Sequence, residues 1–413
     1  MAKSIWQKKS HEEIKARVLS ALDRNVSYID KSVLGVPGSH LDSKVFNKDA
    51  DFLDDAPFLR SLLENPNHIG CHTLASSEPF FGGTQEIERE LLNICAVDIL
   101  GAELDGYDGY VASGGTEANI QAIWIYRNYF LKALNAKQNE IAIICSTDSH
   151  YSVDKAANLL SLDISKIDVQ NKDRSINLTL LEELISEQKQ AGKSYFIFVC
   201  NMMTTMFGSV DDIEMISSVL RAADVEFKVH VDAAYGGFYY PFSNENSPYN
   251  FANPQIASFA LDAHKMVQSP YGTGVFLIRK EFIKYTSIQD AKYVKGEECT
   301  LVGSRSGANA ISVWMILLSH GRAGWHKKVE RLQSNTKLLT NELDRLNVTY
   351  IRDPYSNIVT IENKFVSQKI SNKYFLVPDD HSSPSWQKVV VMDHVTPEQI
   401  QQFTDDLSTS LNA

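Results

Sequence analysis

Lys265 closes the segment Ala260-Leu261-Asp262-Ala263-His264-Lys265, directly after an apolar run, Ile256 to Leu261, that reads as a buried strand. A lysine at a buried strand end loses part of its solvation, so its pKa falls and the neutral amine can form a Schiff base. Four other apolar runs end in turns with matching chemistry. Ser113-Gly114-Gly115-Thr116 opens a helix, and its glycines, hydroxyls and helix-start amides suit a phosphate. Ser149-His150-Tyr151-Ser152 presents an imidazole, and Thr204-Thr205 a pair of hydroxyls. Asp232-Ala233-Ala234 offers a carboxylate followed by two small residues, which leaves room for a flat ring. His230 shares a strand face with Asp232, but no third ligand follows at metal-site spacing, so no metal is expected.

The elements that must position these turns alternate. Strands are expected at 107–112, 141–145, 195–200, 227–232, 256–261 and 274–279, with helices at 116–134, 152–160, 178–191 and 211–223. That alternation implies an α/β fold, a mainly parallel sheet covered on both faces. Upstream, Ser10-His11-Glu12-Glu13 predicts a capped helix running to about Asp23, and a second helix is expected over 85–100. Downstream come an amphipathic helix from about 323 to Asn347, strands at 357–362, 373–377 and 388–392, and a closing helix at 396–411. The chain therefore divides into an N-terminal helical arm (1–62), a large domain (63–310) and a small α+β C-terminal domain (311–413).

Strand ends of a parallel sheet lie along one edge, so the five turns converge. Together they supply a phosphate cradle, an aromatic ring to stack, a hydroxyl, a buried carboxylate and an amine. Pyridoxal 5′-phosphate needs each of these, and the carboxylate keeps its ring nitrogen protonated so that the ring accepts electrons.

The bulk composition narrows the setting. The chain has 413 residues, 44% of them hydrophobic, and a net charge of −11 without a basic run, which argues against nucleic acid. No apolar stretch approaches the roughly 18 residues of a membrane span. Met1 to Lys9 lacks the apolar core of a secretory signal. Five scattered cysteines without a CxxC pair suggest reduced thiols and a cytoplasmic protein.

The ordered motifs SGGTEAN, DSHYS, NMMTTMFGSVD, HVDAAYGG, DAHK, GTGVFLIRK, GSRSGA and VVVMDHVT carry a further reading. From about Gly70 to the C-terminus the sequence resembles the group II pyridoxal-phosphate-dependent amino acid decarboxylases. Bacterial histidine, plant serine and archaeal tyrosine/aspartate decarboxylases match best by motif. The resemblance implies the type I aminotransferase-like fold, one antiparallel strand (274–279) and a homodimer with active sites at its interface. By motif, Lys265 carries the cofactor and His150 stacks on its ring, while Asp232 pairs with the ring nitrogen and Ala234 packs on the opposite face. Gly114, Gly115, Thr116 and His264 hold the phosphate, and Thr205 lies near the phenolic oxygen or the substrate carboxylate. Tyr293, ten residues before Gly303, is the proton donor expected on a loop between 284 and 302.

His72 and Thr73 occupy a stretch that reaches the substrate in such proteins, and Arg305 meets the cofactor phosphate or braces the loop. Two departures stand out: Met202-Met203 replaces a smaller pair containing glycine, and Asp393 stands where a proline is usual. Decarboxylation of an L-amino acid is the expected reaction, with a polar or acidic side chain favoured because the segment near the site is poor in aromatics apart from Phe80 and Phe81. Transamination, for which Arg352 is the available small-domain arginine, carbon–carbon lysis and an inactive cofactor-binding scaffold are the alternatives.

Overall fold

The computed structural model describes residues 6–28, 30–35, 41–42, 44–47, 49–69, 73–74, 79–288 and 295–412. Seven strands form its main sheet: β1 (Tyr107–Ala112), β2 (Ile141–Ser146), β3 (Asp163–Ile167), β4 (Tyr195–Asn201), β5 (Glu226–Asp232), β6 (Ile256–Asp262) and β7 (Gly274–Arg279). Their spatial order is β1-β7-β6-β5-β4-β2-β3. Strand β7 runs against both its neighbours, and every other pairing is parallel. The six strands expected from apolar runs are all present, each within one residue of its expected bounds. The edge strand β3 escaped that reading because Asp163, Ser165 and Lys166 leave it no apolar run.

Inner strands carry apolar residues on both faces, as a sheet covered twice requires. On one face Ile144, Phe198, Val231 and Leu261 meet the helices α1 (His11–Asp23) and α2 (Gly82–Asn93) in a single core. On the other, Ile143, Val199 and Ala260 pack under α3 (Gly115–Ala133) and α4 (Ser152–Leu160). Helices α5 (Leu178–Gln190) and α6 (Ile213–Ala222) add Leu181, Ile185, Ile216 and Leu220 to the first face. The capping box of α1 forms as its sequence predicts: Ser10 Oγ accepts from Glu13 N, and Ser10 N donates to Glu13 Oε2 at 2.8 Å.

Helix α7 (Gly307–Arg345) begins well before the expected residue 323 and is broken at Gly321, where φ is +62°. A side chain there would put a Cβ 2.4 Å from the backbone nitrogen of Lys8, so the N-terminal segment docks against the break. Trp6, 1% exposed, donates its indole N–H to the Leu317 carbonyl at 2.6 Å.

A separate core lies between the second half of α7 and α9 (Pro397–Leu411), which follows α8 (Gln368–Tyr374). It is covered by an antiparallel sheet of β8 (Tyr350–Ile351), β9 (Ile358–Glu362), β10 (Val377–Pro378) and β11 (Trp386–Val390), ordered β8-β9-β11-β10. The strand expected at 373–377 is corrected here: Tyr374 ends α8, Phe375 turns the chain at φ +51°, and only Val377–Pro378 is extended. Among the described residues no helix is long and apolar enough to cross a membrane.

Candidate active site

At the C-terminal edge of the main sheet, His150, Thr205, Asp232, Ala234 and Lys265 line one cavity. Four of the predicted turns therefore meet there, and the Gly114–Gly115 turn adjoins them. A Cβ at Gly115 would lie 3.0 Å from both the Ala234 methyl and Asp262 Oδ2.

Lys265 departs from the expected desolvated amine. Its side chain keeps 34% exposure, and Nζ lies 3.2 Å from Asp262 Oδ2. Asp262 is the last residue of β6, and its other oxygen accepts from Gly115 N at 2.7 Å. The neighbouring His264 has a buried Nδ1 with no hydrogen-bond partner among the described residues, while its Nε2 lies 3.6 Å from Asp262.

Asp232 ends β5 at 7% exposure. Its Oδ2 accepts from the Asn119 side-chain amide at 2.8 Å, and its Oδ1 from Ala234 N at 3.1 Å. The same Asn119 amide nitrogen donates to Ser152 Oγ at 2.8 Å. With that nitrogen committed, Asn119 Oδ1 must accept from His230 Nε2, 2.8 Å away. His230 Nδ1 then accepts from Ser258 Oγ at 2.7 Å. Complete burial pushes His230 down to about 4, so it is a neutral imidazole. No cluster of three metal-ligating side chains exists among the described residues.

His150 Nδ1 faces Ser152 Oγ at 2.9 Å and Ser152 N at 3.3 Å. Burial lowers its pKa, and the Lys265 charge acts in the same direction against Asp232 and Asp262. A neutral flat ring is thus presented to the cavity.

The wall opposite comes from the turn after β4. Met203, 4% exposed, lines the cavity at φ +71°, a backbone conformation that suits glycine. The turn is fixed from both sides. Met202 N donates to the Asp232 carbonyl at 2.9 Å, Thr360 Oγ1 to the Met206 carbonyl at 2.9 Å, and Lys388 Nζ to the Thr205 carbonyl at 3.0 Å. Gly208, at φ +61°, touches the C-terminal sheet so closely that a Cβ would sit 2.4 Å from Ser356 Oγ. Lys388 on β11 braces this turn and was not anticipated from the sequence. Burial, and then the charge of Lys265, lowers its pKa.

Other expected residues lie apart from the cavity lining. Arg305 is buried against Glu88 (2.5 Å), which also accepts from Val111 N at 2.8 Å. Arg352 donates to the carbonyls of Ser356 and Pro354. Thr73 is buried, with Arg89 donating to its carbonyl. Thr116 sits half-buried in the first turn of α3. His72 and Tyr293 lie outside the described residues.

These residues fit pyridoxal 5′-phosphate. The cavity holds a primary amine, a buried acid and a flat imidazole, and beside it lie a glycine wall and the unpartnered His264 nitrogen. With the single reversed strand, the fold is that of the type I pyridoxal-phosphate enzymes. Residues 84–395 match the family model "Pyridoxal-dependent decarboxylase conserved domain". The chain is 44% identical over 403 residues to a tryptophan decarboxylase of Clostridium sporogenes, covering 97% of each. It is 30% identical to a probable L-tyrosine/L-aspartate decarboxylase of Methanocella arvoryzae, over 86% of this chain and 93% of that one. L-methionine decarboxylase of Streptomyces sp. 590 superposes with a TM-score of 0.72 at 19% identity, covering 88% of this chain and 90% of the other. The chain belongs to the pyridoxal-dependent decarboxylase family. It is a carboxy-lyase that uses pyridoxal 5′-phosphate to decarboxylate an amino acid.

Proposed function

We propose that the substrate is L-tryptophan, converted to tryptamine and carbon dioxide, with Lys265 as the lysine that carries the cofactor. The observation that supports this substrate is the 44% identity, across 97% of both chains, with a tryptophan decarboxylase. It departs from the polar or acidic side chain expected from the aromatic-poor segment near the site.

The bound cofactor supplies an aldehyde for the substrate amine and an electron-poor ring that takes up the electron pair of the breaking Cα–carboxylate bond. Asp232, held by Asn119 and the Ala234 N–H, keeps a proton on the ring nitrogen. His150 and Ala234 would hold the ring between them, and Gly114, Gly115, Thr116 and His264 would hold the phosphate. Thr205 would stand near the phenolic oxygen, and Lys388, which reaches the Thr205 carbonyl from β11, would be available to the substrate carboxylate. Tyr293 returns a proton to Cα, which balances the loss of carbon dioxide. In this reading residues 63–310 hold the cofactor and 311–413 form the small domain. The enzyme works as a homodimer with interfacial sites and in the cytoplasm, the latter in keeping with the buried free thiols of Cys95, Cys145, Cys200 and Cys299 among the described residues.

The test is carbon dioxide release from a full panel of L-amino acids by purified, cofactor-saturated protein, beside Lys265→Ala. Release from tryptophan, lost in the variant, is expected. Release from aspartate, glutamate or histidine in its place would overturn the substrate assignment.

A further inference from the structure

Asp262 carries no role in the reading above, yet one carboxylate touches three parts of the site. It is 3% exposed and fixed through its main chain, donating to the Ala234 carbonyl at 3.0 Å and accepting from Lys265 N at 3.2 Å. From there Oδ1 takes the Gly115 N–H, while Oδ2 faces Lys265 Nζ at 3.2 Å and His264 Nε2 at 3.6 Å. Among the described residues it is the one carboxylate within 4 Å of Lys265 Nζ.

We propose that Asp262 is a positioning residue, holding the proton of the Lys265 nitrogen in the cofactor-bound enzyme and fixing the glycine turn with the same carboxylate. The inference rests on Lys265 as the cofactor lysine.

A carboxylate in so dry a place is costly unless cations and N–H donors surround it. Here the Gly115 N–H satisfies one oxygen and the lysine nitrogen the other. An opposite charge this close favours the protonated form of a nitrogen. In the cofactor-bound enzyme the same carboxylate would act on the lysine nitrogen wherever that nitrogen stays within reach of Oδ2. The other charged or titratable groups around it are Asp232 from β5, His150 after β2, His264 beside it in the turn and Lys388 from β11. Lys388 opposes the effect of Asp262, neutral His150 leaves it unchanged, and Asp232 works at the far end of the ring. The carboxylate also consumes the Gly115 N–H, so the cradle's phosphate contacts fall to Thr116 and the unpartnered His264 Nδ1.

The experiment is a pH titration of the visible absorbance band of the lysine-bound cofactor in the holoenzyme. Asp262→Asn keeps an oxygen for Gly115 and removes the charge. Its midpoint is expected to fall by about one to three pH units with cofactor still retained on dialysis. Asp262→Ala should show the same fall and lose cofactor faster, since the glycine turn is freed. An unchanged midpoint in a fully loaded Asp262→Asn protein would overturn the proposal. Should that variant fail to fold, Asp262→Glu decides: a wild-type midpoint supports the charge role, and a lowered one refutes it. Lys265→Ala serves as the separate control: a covalent band surviving there would refute the lysine assignment and leave Asp262 without its partner.

Discussion

Asn119 donates its side-chain amide to Asp232 across 2.8 Å, and the same nitrogen reaches Ser152 at 2.8 Å. Since Ser152 bonds His150, one amide on α3 sets both the acid and the flat imidazole of the cavity. Replacing it with alanine removes a donor from a buried carboxylate. The expected loss is about 1.5–3 kcal/mol, or about 10- to 150-fold in kcat, with KM little changed. Steady-state kinetics at saturating cofactor would check this; a fall confined to KM would disprove it.

His230 stands behind that pair and gives the fold an acid-sensitive component. Its folded-state pKa is depressed to about 4, against about 6.5 when unfolded. The contribution is therefore complete above about pH 6.5 and is lost as pH falls through about 4, amounting to about 3 kcal/mol. Chemical denaturation across pH 7 to 4 should show a steeper loss for the native chain than for His230→Gln.

Met203 reverses an ordinary expectation about alanine and glycine. Its φ of +71° costs a residue with a side chain about 1–2 kcal/mol, which glycine escapes. Its burial contributes about 1.5–3 kcal/mol, which either truncation loses. Met203→Gly should thus be more stable than Met203→Ala by about 1 kcal/mol, as read by urea midpoints. Both should raise KM for the preferred substrate, because the widened cavity holds it less closely.

The Arg305–Glu88 pair is a structural brace in this fold. Glu88 is 0% exposed at its side chain and Arg305 only 5%. Arg305→Met withdraws the guanidinium from a carboxylate that water does not reach, at an expected cost of about 3–5 kcal/mol. Thermal unfolding of that variant should show a large drop, and Glu88→Leu in the same chain should restore much of it.

Much of this arrangement was legible in the residues because α/β strand ends advertise themselves. Lys265, Asp232 and His150 each follow an apolar run, and all three line one cavity. Their partners were not legible. Asn119 lies four residues into a helix, His230 sits mid-strand, and Lys388 stands on a short strand over 120 positions from the lysine whose charge it feels. Such roles come from which strands lie side by side, and local pattern does not encode that. The strand expected at 373–377 failed for the opposite reason. Tyr374, Phe375 and Leu376 look like an apolar run, but Phe375 is 88% exposed at a left-handed helix cap.

The turn bearing Met203 and Gly208 belongs to two layers at once. It is anchored to the main sheet through Asp232 and to the C-terminal sheet through Ser356, Thr360 and Lys388. A cavity wall shared in this way has no compliance of its own. Rocking one layer against the other by even an ångström would re-space Thr205 and Met203 relative to Lys265. Alignment of the layers and accuracy of the catalytic spacing are thus the same mechanical quantity, so wear in that joint, far from any reacting atom, would register first as imprecise chemistry.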